Sequence, residues 1–520
     1  MRIRWPWFIA GGILALLITI LLAALEPALG KRGLPPLPTA PPTATQRPTA
    51  TLHPTSTPRP TATLQPTPTP WPWSQPRVVY DLDVTLDYFV QQAQVMQRVR
   101  FTNTGEETLD HLVFVLEPAR YPGVLYLQNV QTGPPGGLRV ALYELEQHQL
   151  TVHLREPLAP GQMAEVLLTY VLYLPRLERY PAPDTSHIFG YTSRQTNLVD
   201  WYALLAPHHP EQGWLVHAPW FYGEHLVYPV ADYTLRFTVR NVPPGLQVVS
   251  NGDQIPCPEA PPEEVLVRCY RLENARQLVL SLSPYYRRVE AQNPTGPLVE
   301  GYFFMAEEAY GRDMVAASLE ALETYTALFG PYHRKRLTLV QGDFPDGMEY
   351  DGLFFVSSRF FDFYNGDRAS MLITITVHET AHQWWFAQVG NDQALHPWMD
   401  EALCTYAEAL YYEHQYPQGL NWWWTYRVDY YKPRGPVDGD IYQYMGWRPY
   451  RDAVYLNGAH FLQDLRESIG DAAFFTFLQT YRKRWQGRIA YPQDFFQTLE
   501  EAAPREKWLP VVTRYFQNAP

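Results

Sequence analysis

His378-Glu379-Thr380-Ala381-His382, with Glu401 following after 18 intervening residues, combines residue types that can hold a metal and move a proton. Residues four apart on a helix lie about 40° from each other around the axis, so His378 and His382 project from one face and can converge on one ion. Two imidazoles and the Glu401 carboxylate form a catalytic rather than a structural zinc set, because they leave a fourth position open for water. One zinc per chain would lower the pKa of that water and polarise a peptide carbonyl. Glu379, one position round from the ligands, would take the water's proton and later deliver it to the leaving amine. Without such a partner, burying two histidines and a glutamate on one helix would be costly.

The surrounding elements must position this set. Met371-Leu-Ile-Thr-Ile-Thr-Val377 is apolar and, joined to the histidine motif, long enough for a buried helix. The interval bearing Gly390, Asn391 and Pro397 lets a second helix run back past the first. Upstream, Val315, Leu319, Leu322, Tyr325 and Phe329 have helical spacing that stops at Gly330-Pro331. A short strand is expected at Leu337–Val340, then a loop from Gly342 to Tyr350. Residues 296–520 therefore read as a mainly α catalytic domain with a small sheet at its edge. Before it, Tyr80, Leu82, Val84 and Leu86 alternate with polar residues, as do Tyr233, Leu235, Phe237 and Val239. This is the pattern of half-buried strands, and residues 77–295 read as an antiparallel all-β domain.

The ligand spacing, set within Trp398-Met-Asp-Glu-Ala-Leu-Cys-Thr-Tyr-Ala-Glu408, resembles the aminopeptidase N family of gluzincin zinc peptidases. Gly347-Met348-Glu349-Tyr350 stands where that family carries Gly-x-Met-Glu-Asn. The resemblance implies that Glu349 grips a substrate's free α-amino group while the backbone at Gly347 and Met348 aligns the peptide. Tyr455-Leu-Asn-Gly-Ala459 looks like the family's Tyr-x-Lys-Gly-Ala, which implies that Tyr455 donates its hydroxyl to the developing oxyanion. Asn457 replaces the lysine, Tyr350 the asparagine, and Asp346 the first glycine. Without the resemblance, Tyr455 is one of 36 tyrosines. No clear match exists to the family's β-domain group for the amino terminus, although Gln195 and Glu211 lie in that stretch. The likeness runs from about residue 77 to 520 and is strongest over 330–410. It implies an α+β multidomain chain, a saddle-like β domain followed by a thermolysin-like catalytic domain. The large helical C-terminal domain of many relatives is expected to be absent, leaving a more open cleft.

The remaining composition narrows partners and location. A formal net charge of −12 with scattered basic residues argues against nucleic acid. Phe8–Leu25 is an uncharged apolar run of 18 residues behind Arg2 and Arg4. It fits an uncleaved signal anchor, favoured over a cleaved signal peptide, with residues 1–7 cytoplasmic. Residues 26–76 form a stalk. Its Leu34–Pro76 stretch holds 14 prolines and 11 threonines without an acidic residue and cannot pack a core. The catalytic part is thus expected outside the cell membrane on a single-pass anchor. There, Cys257 and Cys269 can pair as a disulfide or stay as unlinked thiols. Cys404 reads as a small buried hydrophobe.

Glu408 reads equally as a support to the metal or as a structural carboxylate, and His460 reads as a core histidine before a substrate contact. His208-His209 is expected to do nothing chemical, and Trp384-Trp385 and Trp422–Trp424 to pack. The leading function is a zinc metallopeptidase releasing N-terminal residues from peptides or proteins. An endopeptidase using the same site is one rival. A stalked module that binds peptides without cleaving them is the other, although such a module needs no Glu379.

Overall fold

Period-two sequence becomes sheet wherever one face can be buried. A computed structural model describes residues 78–178, 188–258 and 264–520. The expected N-terminal segment, anchor and stalk at 1–7, 8–25 and 26–76 lie outside them. Among the described residues, no helix is long and apolar enough to cross a membrane. Strand Val78–Asp87 buries Tyr80, Leu82, Val84 and Leu86 and turns its aspartates toward solvent. It lies inside an eight-stranded sheet ordered 253–255, 266–275, 231–240, 78–87, 92–102, 163–173, 125–133 and 139–140.

The sheet is antiparallel except at one central pair. Val78–Asp87 runs parallel to Ala231–Arg240, with Val78 opposite Ala231 and Asp87 opposite Arg240. Alternation reports which face is buried and not strand direction, and the long excursion between these strands permits either direction. Cys257 and Cys269 form a disulfide across the hairpin in which Ile255 pairs with Cys269. Free Cys404 is buried.

A second core, of helices packed on one sheet, carries the ligand motif. Its five strands are ordered 286–292, 298–304, 336–342, 353–357 and 347–350. The stretch expected to be a loop therefore ends as an edge strand, Gly347–Tyr350, antiparallel to Leu353–Ser357. Only four residues long, it offers too little alternation to be recognised in sequence.

Helix Met371–Ala381 is buried from Leu372 to Ala381. Its Ile373, Thr374, Ile375, Thr376 and Val377 are β-branched and lower intrinsic helix propensity, so tertiary burial decides the conformation. Two of its threonines bond within it, Thr376 Oγ1 donating to Leu372 O at 2.7 Å and Thr380 Oγ1 to Thr376 O at 2.8 Å, while Thr374 Oγ1 meets the Tyr412 hydroxyl at 3.0 Å. Helix Glu308–Phe329 packs behind it, with Ser318 Oγ 2.9 Å from Thr380 Oγ1. The Tyr325 hydroxyl lies 3.2 Å from Val377 O and 2.9 Å from Ala407 O, touching both this helix and the following one, Trp398–Gln415.

Candidate active site

The two ligand helices bring His378, His382 and Glu401 together. His378 Nε2 lies 3.1 Å from Glu401 Oε2 and 3.1 Å from His382 Nε2, and His382 Nε2 lies 3.5 Å from Glu401 Oε2. The opposite ring nitrogens are already engaged, His378 Nδ1 with Glu408 Oε1 at 2.8 Å and His382 Nδ1 with Trp385 O at 3.1 Å. Each Nδ1 therefore carries a proton and each Nε2 turns a lone pair inward. Two lone pairs and a carboxylate facing one another require a positive charge between them, and the donor set fits zinc. A proton partly meets this demand. Burial opposes charging His378, but Glu401 and Glu408 outweigh it and hold its pKa up at about 9. Burial likewise opposes ionising Glu401, yet His382 and His378 hold it well below the usual range.

Glu379 is 4% exposed and its Oε2 has no partner. Burial pushes its carboxyl well above the ordinary value, against the pull of His382 and His378, as suits a proton acceptor. The edge strand runs against it. A Cβ on Gly347 would fall 2.1 Å from Glu379 Oε1 and 2.8 Å from Ile375 Cγ2, so only glycine lets strand and helix approach this closely. Met348 is half-buried, and Glu349 is buried with Oε1 accepting from Gln393 Nε2 at 2.9 Å. That same amide nitrogen donates to Asp400 Oδ2 at 2.9 Å. Tyr350, in place of the asparagine, turns its ring onto Phe355 at 5.9 Å within the β-domain core.

Tyr455 stacks on His378, ring centroids 6.1 Å apart and 12° between planes. Burial raises its phenol well above the usual value, and the Glu401 carboxylate beside it adds to the shift. It sits on a π-helical turn, Asp452–Leu456. A second such turn, Trp423–Val428, supplies partners to Glu408: Trp423 Nε1 at 2.7 Å, Arg427 Nε at 3.0 Å and Arg427 Nη2 at 2.9 Å. Glu408 is therefore both a structural ion pair and the support of His378. Replacing Glu408 with Gln should weaken zinc affinity about tenfold or more, measured by competition with a chromophoric chelator. Unchanged affinity would reduce it to a purely structural carboxylate.

Sequence reasoning missed Glu224. It is half-buried, but its Oε2 is closed off from solvent and lacks a partner. Burial raises its carboxyl well above normal, with Glu349, Glu401 and Asp400 adding like-charge repulsion. Its segment is tied to the rest of the molecule on both flanks. His217 Nε2 pairs with Asp392 Oδ2 at 2.8 Å, His225 Nε2 with Glu117 Oε2 at 3.1 Å, and the Tyr222 hydroxyl donates to Tyr444 O. No spacing rule links Glu224 to the histidine motif, so only the fold could reveal it. The residues considered in its place stand elsewhere: Gln195 is buried on Gln341 O at 2.8 Å, and Glu211 is exposed.

The other singled-out residues also find places. His460, expected in the core, is instead part-exposed, stacked on Trp424 at 5.2 Å and paired with Asp429 at 3.0 Å. Its helix turns that position to the rim rather than inward. His208–His209 forms a two-residue strand with Gly213–Trp214. Trp384 and Trp385 are fully buried.

Residues 310–515 match the family model described as Peptidase family M1 domain. Aminopeptidase M1-C of Oryza sativa subsp. japonica is 26% identical over 242 residues, 44% of this chain and 27% of that protein. Aminopeptidase N of Streptomyces lividans is 29% identical over 141 residues, 25% of this chain and 16% of that one. The matched region thus spans about a quarter or less of these curated relatives. Among solved structures, an M1 zinc metallopeptidase from Deinococcus radiodurans superposes with a TM-score of 0.62 at 18% identity, covering 86% of this chain and 96% of that one. A mutant of it bound to a Tyr-Ser-Ala substrate gives 0.60 at 18%, covering 85% and 95%. These likenesses establish the fold, a β domain followed by a mainly helical domain. Over residues 310–515 the chain resembles the M1 peptidase family, and His378, His382 and Glu401 stand together as the residues that could hold its zinc.

Proposed function

We propose that this chain is a zinc aminopeptidase that removes N-terminal residues from peptides, held outside the membrane on a proline-rich stalk. The observation that carries the aminopeptidase reading is buried Glu349, whose carboxylate lies within 4.8 Å of the His382 and Asp400 donor atoms, with Glu224 near enough to feel its charge. Raised carboxyls crowded by like charge are stabilised by a bound cation, and the α-ammonium of a peptide is one. The anchor rests on Phe8–Leu25 and its preceding arginines.

When bound, zinc supplies Lewis acidity toward water and toward the peptide carbonyl. Glu349 and Glu224 fix the ammonium, which sets the first peptide bond beside Glu379. Glu379 takes a proton from the attacking water, whose oxygen bonds to the carbonyl carbon. Tyr455 donates to the carbonyl oxygen as negative charge develops there. When the C–N bond breaks, Glu379 returns the proton to the departing amine.

Free and N-acetylated forms of one peptide test the exopeptidase reading. The free form should be cleaved at least about tenfold faster, and Glu224→Gln should erase most of that preference. Equal rates on both forms would instead identify an endopeptidase. For the anchor, the full-length chain should sediment with membranes and be released by detergent but not by high salt.

A further inference from the structure

The zinc helix ends in a turn held from the other half of the molecule. Arg276, just beyond strand Leu266–Ala275, is 1% exposed and inserts its guanidinium among main-chain carbonyls. Nε donates to Phe386 O at 2.5 Å and Ala387 O at 3.0 Å, and Nη1 to Tyr228 O at 2.8 Å. Nη2 donates to Gln388 O at 3.2 Å and Arg488 O at 3.1 Å. The nearby carboxylate, Asp351, is committed to Arg334 at 2.5 Å and His333 at 2.9 Å and meets Arg276 only through its backbone N–H. The guanidinium charge is therefore solvated by peptide dipoles, three of them from Phe386–Gln388.

That turn is strained and adjoins a ligand. Phe386 has φ 147°, a region that favours glycine. Ala387 N–H donates to His382 O at 2.9 Å, and Trp385 O receives the Nδ1 proton that points His382 Nε2 at the metal. A bulky residue in this conformation persists only where the surroundings fix its carbonyl, and the planar fork of Arg276 does so. Gly390 leaves the room required: a Cβ there would fall 2.5 Å from the guanidinium carbon.

We infer that Arg276 is a positioning residue for His382, making the β domain a determinant of zinc retention. The inference rests on His378, His382 and Glu401 holding zinc, but not on peptide cleavage. The test loads the full-length chain with zinc and follows release to a chromophoric chelator, alongside melting of the zinc-free and loaded forms. Arg276→Lys keeps the charge and loses the fork, and should release zinc about tenfold faster or more. Gly390→Ala keeps every side chain of the cradle and should speed release in the same direction; it decides alone if Arg276→Lys does not fold. Release at the wild-type rate, with both forms melting lower by the same amount, would make Arg276 a merely structural residue and overturn the inference. A wild-type chain that retains no zinc would overturn the metal reading as well, whereas one that retains zinc yet cleaves nothing would leave this test intact.

Discussion

Glu379→Gln should lower kcat about a thousandfold while KM and bound zinc stay close to wild type. The amide has the shape of the carboxylate, so the edge strand at Gly347 keeps its seat. None of the ligand atoms belongs to Glu379. What disappears is the basic oxygen, and with it both proton transfers assigned to this residue. Steady-state kinetics on a free tripeptide, with metal content measured on the same sample, check the assignment. A variant that holds zinc and turns over within tenfold of wild type would remove Glu379 from the mechanism.

Tyr455→Phe should cost a few hundredfold in kcat, in the range of about 10²–10³ typical for loss of one oxyanion donor, with KM little changed. The ring's stacking on His378 and its edge contacts with Trp447 and Tyr450, both at 5.7 Å, need no hydroxyl. Folding and zinc binding should therefore survive. The split between kcat and KM is informative, because a phenol that only packs would leave both unchanged. A rise in KM at constant kcat would mean that Tyr455 binds substrate without favouring the reacting state.

The parts of this site that could be read from sequence are those set by local geometry. His378, Glu379 and His382 share a helical spacing, and a metal demands that spacing of any chain that folds this way. The parts that could not be read arise where distant segments meet. Glu224 arrives on a β-domain segment that belongs to no motif, and Gln393 acquires its role only because Glu349 and Asp400 fall on either side of it. The π-helical turns that deliver Tyr455, Trp423 and Arg427 leave no periodic trace. Strand alternation identified the buried faces of Val78–Asp87 and Ala231–Arg240 but was silent on their parallel direction. The roles proposed for Glu349 and Tyr455 were accessible only through family resemblance, since a lone acid or phenol carries no spacing signal.

Tyr325 gives the zinc site a further property. Its hydroxyl contacts the carbonyl one residue before His378 and the carbonyl one residue before Glu408. The two ligand helices are therefore joined through a third helix as well as through the ligands they carry. Chelation should remove the chemistry and spare the architecture: a stripped chain should hold its two ligand helices in place and take zinc back without refolding.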